Sequence, residues 1–295
     1  MSDKKRGTDA ERNAEQTRNT TQNKRGRWIW FLIFNHVMLN LFQHLFFRPR
    51  NKFGVTLFVS FSIFNCLFIG CKKAKSPVEP EKEVDYGAFY TDGLSSKKWV
   101  ALTFDDGPKP EVVEKIFETL KKENVKATFF LVGSNVKLHP QYVNKYLQLG
   151  HEIGNHTYSH RNYYQLKEKK SMAEIEKILT EELTASENVI KGLTGVKPFF
   201  MRMPNGFFSP MVRKVAKEKK YVVVNWTFGC DWHGYTKDEL VKKYLRSIEA
   251  GAIFLFHEKK VTAEALPEII SGIKKKGYEI VPLREILGLN ADIRR

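Results

Sequence analysis

From Trp99 onward, short apolar runs alternate with longer amphipathic stretches, and this alternation narrows the possible folds more than any other feature of the chain. The runs WVALTF, ATFFLVG, HEIGNH, PFFMR, YVVVNW, AIFLFH and YEIV have strand length and are rich in β-branched and aromatic residues. Between them, around residues 110–124, 140–149, 171–193, 210–219, 237–250 and 262–276, the pattern is helical. Such alternation predicts an α/β fold with a parallel sheet, open or closed into a barrel. An apolar content of 42% over 295 residues is enough for a substantial core. No internal repeat is visible.

In parallel α/β folds the working residues gather at the carboxyl ends of the strands. Asp105 and Asp106 follow WVALTF, His156 and His160 follow HEIGN, and Arg202 and Pro204 follow PFFM. Asp231 and Trp232 follow YVVVNWTF, and His257 ends AIFLFH. Turn chemistry would account for one Asp-Asp pair before Gly-Pro, but not for polar groups at five successive strand ends. His156 and His160 stand four residues apart, one helical turn, so both imidazoles can face one metal ion. Alone, that spacing also fits two surface or capping histidines. With a carboxylate from another strand end, the set leaves positions open for water and substrate, as a catalytic site requires. Zinc is the first expectation, and cobalt, manganese or iron follow from the same ligand logic. HTYSH lacks the Glu of the His-Glu-x-x-His motif, so a base must come from elsewhere. Two adjacent aspartates meet that need, one binding the ion and the other taking a proton from water.

In order, TFDDGP, HTYSH, RMPNG, DW and LFH resemble the five motifs of the polysaccharide deacetylases of carbohydrate esterase family four, which include peptidoglycan and chitin deacetylases. The resemblance spans residues 97–287. It implies an irregular (β/α) barrel of about seven parallel strands. It further implies that Asp105 is the general base, that Asp106, His156 and His160 are the metal ligands, and that His257 is the acid that protonates the departing amine. Arg202 would orient Asp105, and Asp231 would tune His257 or Arg202. Thr103, Gly107 and Pro108 would shape the first turn. Pro204, Asn205, Gly206, Trp232 and Leu255 would line the acetyl and sugar pocket, with a backbone N–H near Asn205 as an oxyanion donor. The implied reaction is metal-assisted hydrolysis of N-acetyl groups on N-acetylglucosamine-type units of peptidoglycan or a chitin-like polymer, releasing acetate.

Three positions depart from the pattern. Asn205 stands where an aromatic residue is usual, Phe228 where an acidic residue is frequent, and Glu258 where Asp is common. These bear on substrate preference more than on reaction type. Two other functions compete: an O-acetyl esterase of the xylan type, and a non-catalytic carbohydrate-binding relative. Retention of Asp105, Asp106, His156, His160 and His257 together argues against the second, since a binding module has no use for all five.

The net charge of +16 points to an anionic partner only until it is located. Residues 1–75 hold 14 Lys and Arg against 4 Asp and Glu, so the body is only mildly basic and a nucleic-acid partner is not expected. Residues 1–50 read as a basic and apolar extension, and the length of this leader suggests translation starting later than Met1. Residues 51–71 resemble a bacterial lipoprotein signal, with an apolar run from Phe53 to Ile69 and Gly70 before an acylated Cys71. The alternative is a plain spanning anchor, although Lys72, Lys73 and Lys75 sit on the side the positive-inside tendency disfavours. Either way the body would lie outside the cytoplasm, attached to an envelope membrane. Residues 72–96 read as a tether, 97–289 as the catalytic domain and 290–295 as a tail. Cys66, Cys71 and Cys230 form no disulfide framework, and Cys230 reads as a buried structural thiol.

Overall fold

A computed structural model describes residues 84–289. The proposed extension, the signal or anchor with Cys71, residues 72–83 of the tether and the tail lie outside these residues. Eight strands form one sheet, and every pairing is parallel. They are β1 (Phe89–Tyr90), β2 (Trp99–Gly107), β3 (Thr128–Leu131), β4 (Glu152–Asn155), β5 (Phe200–Met201), β6 (Val222–Val224), β7 (Ala252–His257) and β8 (Glu279–Ile280). Seven follow the order β1-β6-β5-β4-β3-β2-β7, with β8 paired to the start of β2. Beyond β6 the chain swings over to β7, where Phe228 forms a lone parallel bridge with Phe254. The two ends of the sheet thus approach each other, and the sheet is a half-barrel with helices packed outside.

Strand periodicity decides which side chains meet. Along β2, Val100, Leu102 and Phe104 face the helices, packing with Ile116, Phe129 and Phe256. Ala101 points to the inner face with Phe130, Phe200, Val224 and Ile253, and Leu283 and Ile286 help fill that side. Thr103 and Asp105, in phase with Ala101, share the inner face above this apolar floor. Helix ends follow local chemistry. Pro110, Pro140 and Pro210 each open a helix, and capping boxes start Met172–Thr194 at Ser171 and Lys237–Arg246 at Thr236. No helix among the described residues is long and apolar enough to cross a membrane.

Three expectations need correction. Residues 84–96 were expected to be tether, but they belong to the fold: β1 pairs with β6, and Gly93 N–H donates to Gly251 O at 2.8 Å. A two-residue strand leaves too short a pattern to read. Thr103 lies within β2 rather than in the turn. His156 and His160 are not one helical turn apart, because a non-helical loop joins them.

Candidate active site

Asp105 and His257 are register partners on adjacent strands β2 and β7, so the backbone ladder itself sets them side by side at the carboxyl rim. Strict alternation would send Asp106 to the opposite face. Instead the β2–β3 register slips between Asp105 and Gly107, and Asp106 adopts φ 69°. The bulge returns its carboxylate to the rim, where Asp105 Oδ2 and Asp106 Oδ1 each lie 3.6 Å from His156 Nε2. Asn135 Nδ2 donates to the Asp106 carbonyl and fixes this turn.

Arg202 follows β5 and is fully buried. Its Nη1 donates to Asp105 Oδ1 at 2.8 Å and to Thr103 Oγ1 at 2.9 Å. Nε and Nη2 donate to the carbonyls of Val224 and Asn225, and the guanidinium lies 4.1 Å from the centre of the Phe130 ring. Oδ1 of Asp105 is therefore occupied, and Oδ2 faces the site. The open choice for Asp231 resolves toward His257. Its Oδ1 pairs with His257 Nδ1 at 2.7 Å, while Oδ2 accepts from His257 N–H and Thr262 Oγ1. Burial alone would depress the His257 pKa, but the Asp231 hydrogen bond and charge, with Asp105 and Asp106, outweigh it and raise it.

Asp106, His156 and His160 offer ligand atoms within 4.8 Å of one another. His156 Nδ1 lies 2.8 Å from the Arg202 carbonyl, which can only accept, so Nδ1 carries the proton and Nε2 presents a lone pair. Burial holds the His156 pKa below its usual value despite Asp105 and Asp106, favouring the neutral ligand form. Burial would raise the Asp106 carboxyl, but His156, His160, His257 and Lys109 together lower it. Asp106 Oδ1 is buried with no hydrogen-bond partner, 3.3 Å from His160 Nε2. A buried carboxylate oxygen facing imidazole nitrogens without a donor is costly unless a cation lies among them. The donor set fits a divalent metal.

Around this centre, Trp232 is 41% exposed and meets the His257 ring edge-to-face at 5.5 Å. Leu255 lies beneath, with Gly229 close against both. Pro204 is buried, whereas Asn205 is exposed in a left-handed conformation (φ 56°) and Gly206 accepts from Asn225 Nδ2. Cys230 is buried, its thiol pushed up to about 11 by burial and by Asp231. Sequence reasoning missed Asn135, Asn155, Glu182, Asn225 and Thr262, which support the site from behind. Glu182 alone left a signal: it occupies the apolar stripe of its helix, among Ile175, Leu179, Leu183 and Ile190.

The family model for polysaccharide deacetylases matches residues 92–224. A peptidoglycan-N-acetylglucosamine deacetylase of Bacillus cereus is 37% identical over 210 residues, covering 69% of this chain and 74% of that one. Among solved structures, a peptidoglycan N-acetylglucosamine deacetylase is 34% identical with a TM-score of 0.63, over 70% of this chain and 94% of that one. A Bacillus anthracis protein described as a pseudoenzyme of carbohydrate esterase family four is 32% identical with a TM-score of 0.62, over 69% and 70%.

Proposed function

The chain belongs to the polysaccharide deacetylase family, and we propose on that premise that it removes N-acetyl groups from N-acetylglucosamine-type units of peptidoglycan, releasing acetate. The observation that carries this reading is Asp105, its Oδ1 fixed by buried Arg202 and its Oδ2 turned toward the three-ligand cluster. Asp106, His156 and His160 would hold a divalent metal, with zinc the best match to the ligands, and bound there it would supply Lewis acidity toward the amide carbonyl and the attacking water. Asp105 Oδ2 accepts the proton of the attacking water. His257, oriented through Nδ1 by Asp231, presents Nε2 to the departing nitrogen and gives it a proton. A backbone N–H near Asn205 serves the oxyanion. Trp232 and Leu255 form an apolar wall beside the acetyl group, and the half-barrel is read as the family's irregular barrel. Attachment to an envelope membrane through acylated Cys71, outside the cytoplasm, is part of the same proposal and rests on the sequence of residues 51–71.

A non-catalytic relative is the second reading, since a pseudoenzyme stands among the structural neighbours. Acetate release separates the two. The full-length chain should release acetate from peptidoglycan and N-acetylglucosamine oligomers, lose this with a chelator and regain it with zinc. Asp106→Ala should lose both metal and activity. Asp105→Asn should keep metal while turnover falls about 10²- to 10⁴-fold. No acetate from folded, zinc-loaded wild type would favour the non-catalytic reading, and full turnover by Asp105→Asn would overturn the assignment of the base.

A further inference from the structure

The loop from His156 to His160 is conformationally expensive. Thr157 has φ 63° and His160 φ 51°, and a β-branched residue at positive φ is a clear outlier. Several of its backbone groups are nonetheless paired. Asn155 Oδ1 accepts from Thr157 N–H, and the carbonyls of Thr157 and Tyr158 accept from Gly133 and Ser134 N–H. The N–H groups of Tyr158 and Ser159 both point to Glu182 Oε2, at 3.0 and 2.7 Å. Glu182 Oε1 takes the Ser159 hydroxyl at 2.6 Å and Arg161 Nε at 3.1 Å.

Glu182 is a buried acid in the middle of a 23-residue helix, at a position where apolar residues surround it. A buried carboxylate costs folding energy unless its hydrogen bonds are met. Here all four donors come from residues 158–161, a segment that joins two imidazoles aimed at Asp106. Asn155 and the Gly133–Leu138 helix hold the near end of the loop beside His156, which is also fixed by the Arg202 carbonyl. Glu182 reaches further along, to Ser159 and Arg161 on either side of His160, the most exposed of the three ligands, with its side chain 34% exposed.

We propose that Glu182 is a positioning residue for the metal site, clamping residues 158–161 so that His160 Nε2 stays in register with Asp106 and His156. This rests on the metal-site reading above. It assigns to a helix residue, distant in sequence from every site motif, the pre-organisation of one ligand.

Zinc affinity of the full-length chain, read by chelator competition, tests it, with the cobalt-loaded absorption spectrum as a second readout of ligand geometry. Glu182→Ala should bind zinc about 10- to 100-fold more weakly and change the cobalt spectrum, with its far-ultraviolet circular dichroism retained. Folded Glu182→Ala with affinity within about twofold of wild type and the same cobalt spectrum would overturn the proposal. Should that variant not fold, Glu182→Gln decides instead. It keeps the shape, gives up the charge and one acceptor, and should weaken zinc binding about three- to tenfold; unchanged affinity overturns the proposal. Failure of wild type to bind zinc would instead overturn the metal-site reading.

Discussion

Asp106, Thr157, His160 and Asn205 are four of the six described non-glycine residues with positive φ, and all four sit at the rim. Each such residue costs about 1–3 kcal/mol and persists only where surrounding contacts enforce it. At Asp106 the contorted backbone puts two neighbouring carboxylates on one face, which a regular strand cannot do. On the side proposed to supply the acid, pairing does this instead. Asp231 accepts from the His257 ring, the His257 N–H and Thr262, and so holds the imidazole in one orientation while raising its pKa. A general acid must be protonated to act, so a raised pKa carries activity to higher pH. Asp231→Asn should therefore move the basic limb of the kcat/KM profile to lower pH and reduce its maximum. A basic limb that stays in place would show that His257 is not the group that titrates there.

Glu258 ties two elements together at the rim. It follows the last residue of β7, and its carboxylate accepts from Tyr146 Oη at 2.6 Å and from Lys109 N–H at 2.5 Å, just before the helix Pro110–Lys122. Gly107 lies against it, and a Cβ there would push on the Glu258 carboxylate and on Tyr146 Oη and disturb their contact. Burial, partly countered by these hydrogen bonds, pushes the Glu258 carboxyl up to about 7. The folded state thus binds this proton more tightly than the unfolded chain. Its stabilisation is complete below pH about 4.5 and is lost as pH rises toward 7. Glu258→Gln, which resembles the protonated form, should flatten the fall in melting temperature across that interval, and an unchanged slope would refute the assignment. At this scale much was legible in the sequence. WVALTF and AIFLFH carry enough alternation to fix both strands and the rim positions of Asp105 and His257. The register slip at Asp106, the loop geometry between His156 and His160, and β1 were not legible. The first two are set by φ values that no periodicity encodes, and β1 exists only because β6 is there to pair with it.

Across the described molecule, residues 84–96 reach the site indirectly. Tyr90 O accepts from Asn225 N–H at 2.7 Å, and the Asn225 carbonyl in turn holds Arg202 Nη2. Phe89 stacks on Phe208 at 3.8 Å, and Leu94 N–H donates to Ile286 O. A chain beginning at residue 84 should therefore keep the stability of the folded body, whereas one beginning at residue 97 should melt several degrees lower and lose turnover as Arg202 loosens. Equal melting temperatures for the two would show that β1 is dispensable. The register pairing of Asp105 with His257 also limits how such a molecule can diversify. Neighbouring parallel strands lie about 4.8 Å apart, a spacing dictated by peptide hydrogen bonds. Asp105 and His257 are thus mounted on a ruler that side-chain substitution cannot stretch. On the proposed function, new substrates would be reached by remodelling the segments around Asn205 and Trp232, while the reaction itself would stay tied to the ladder.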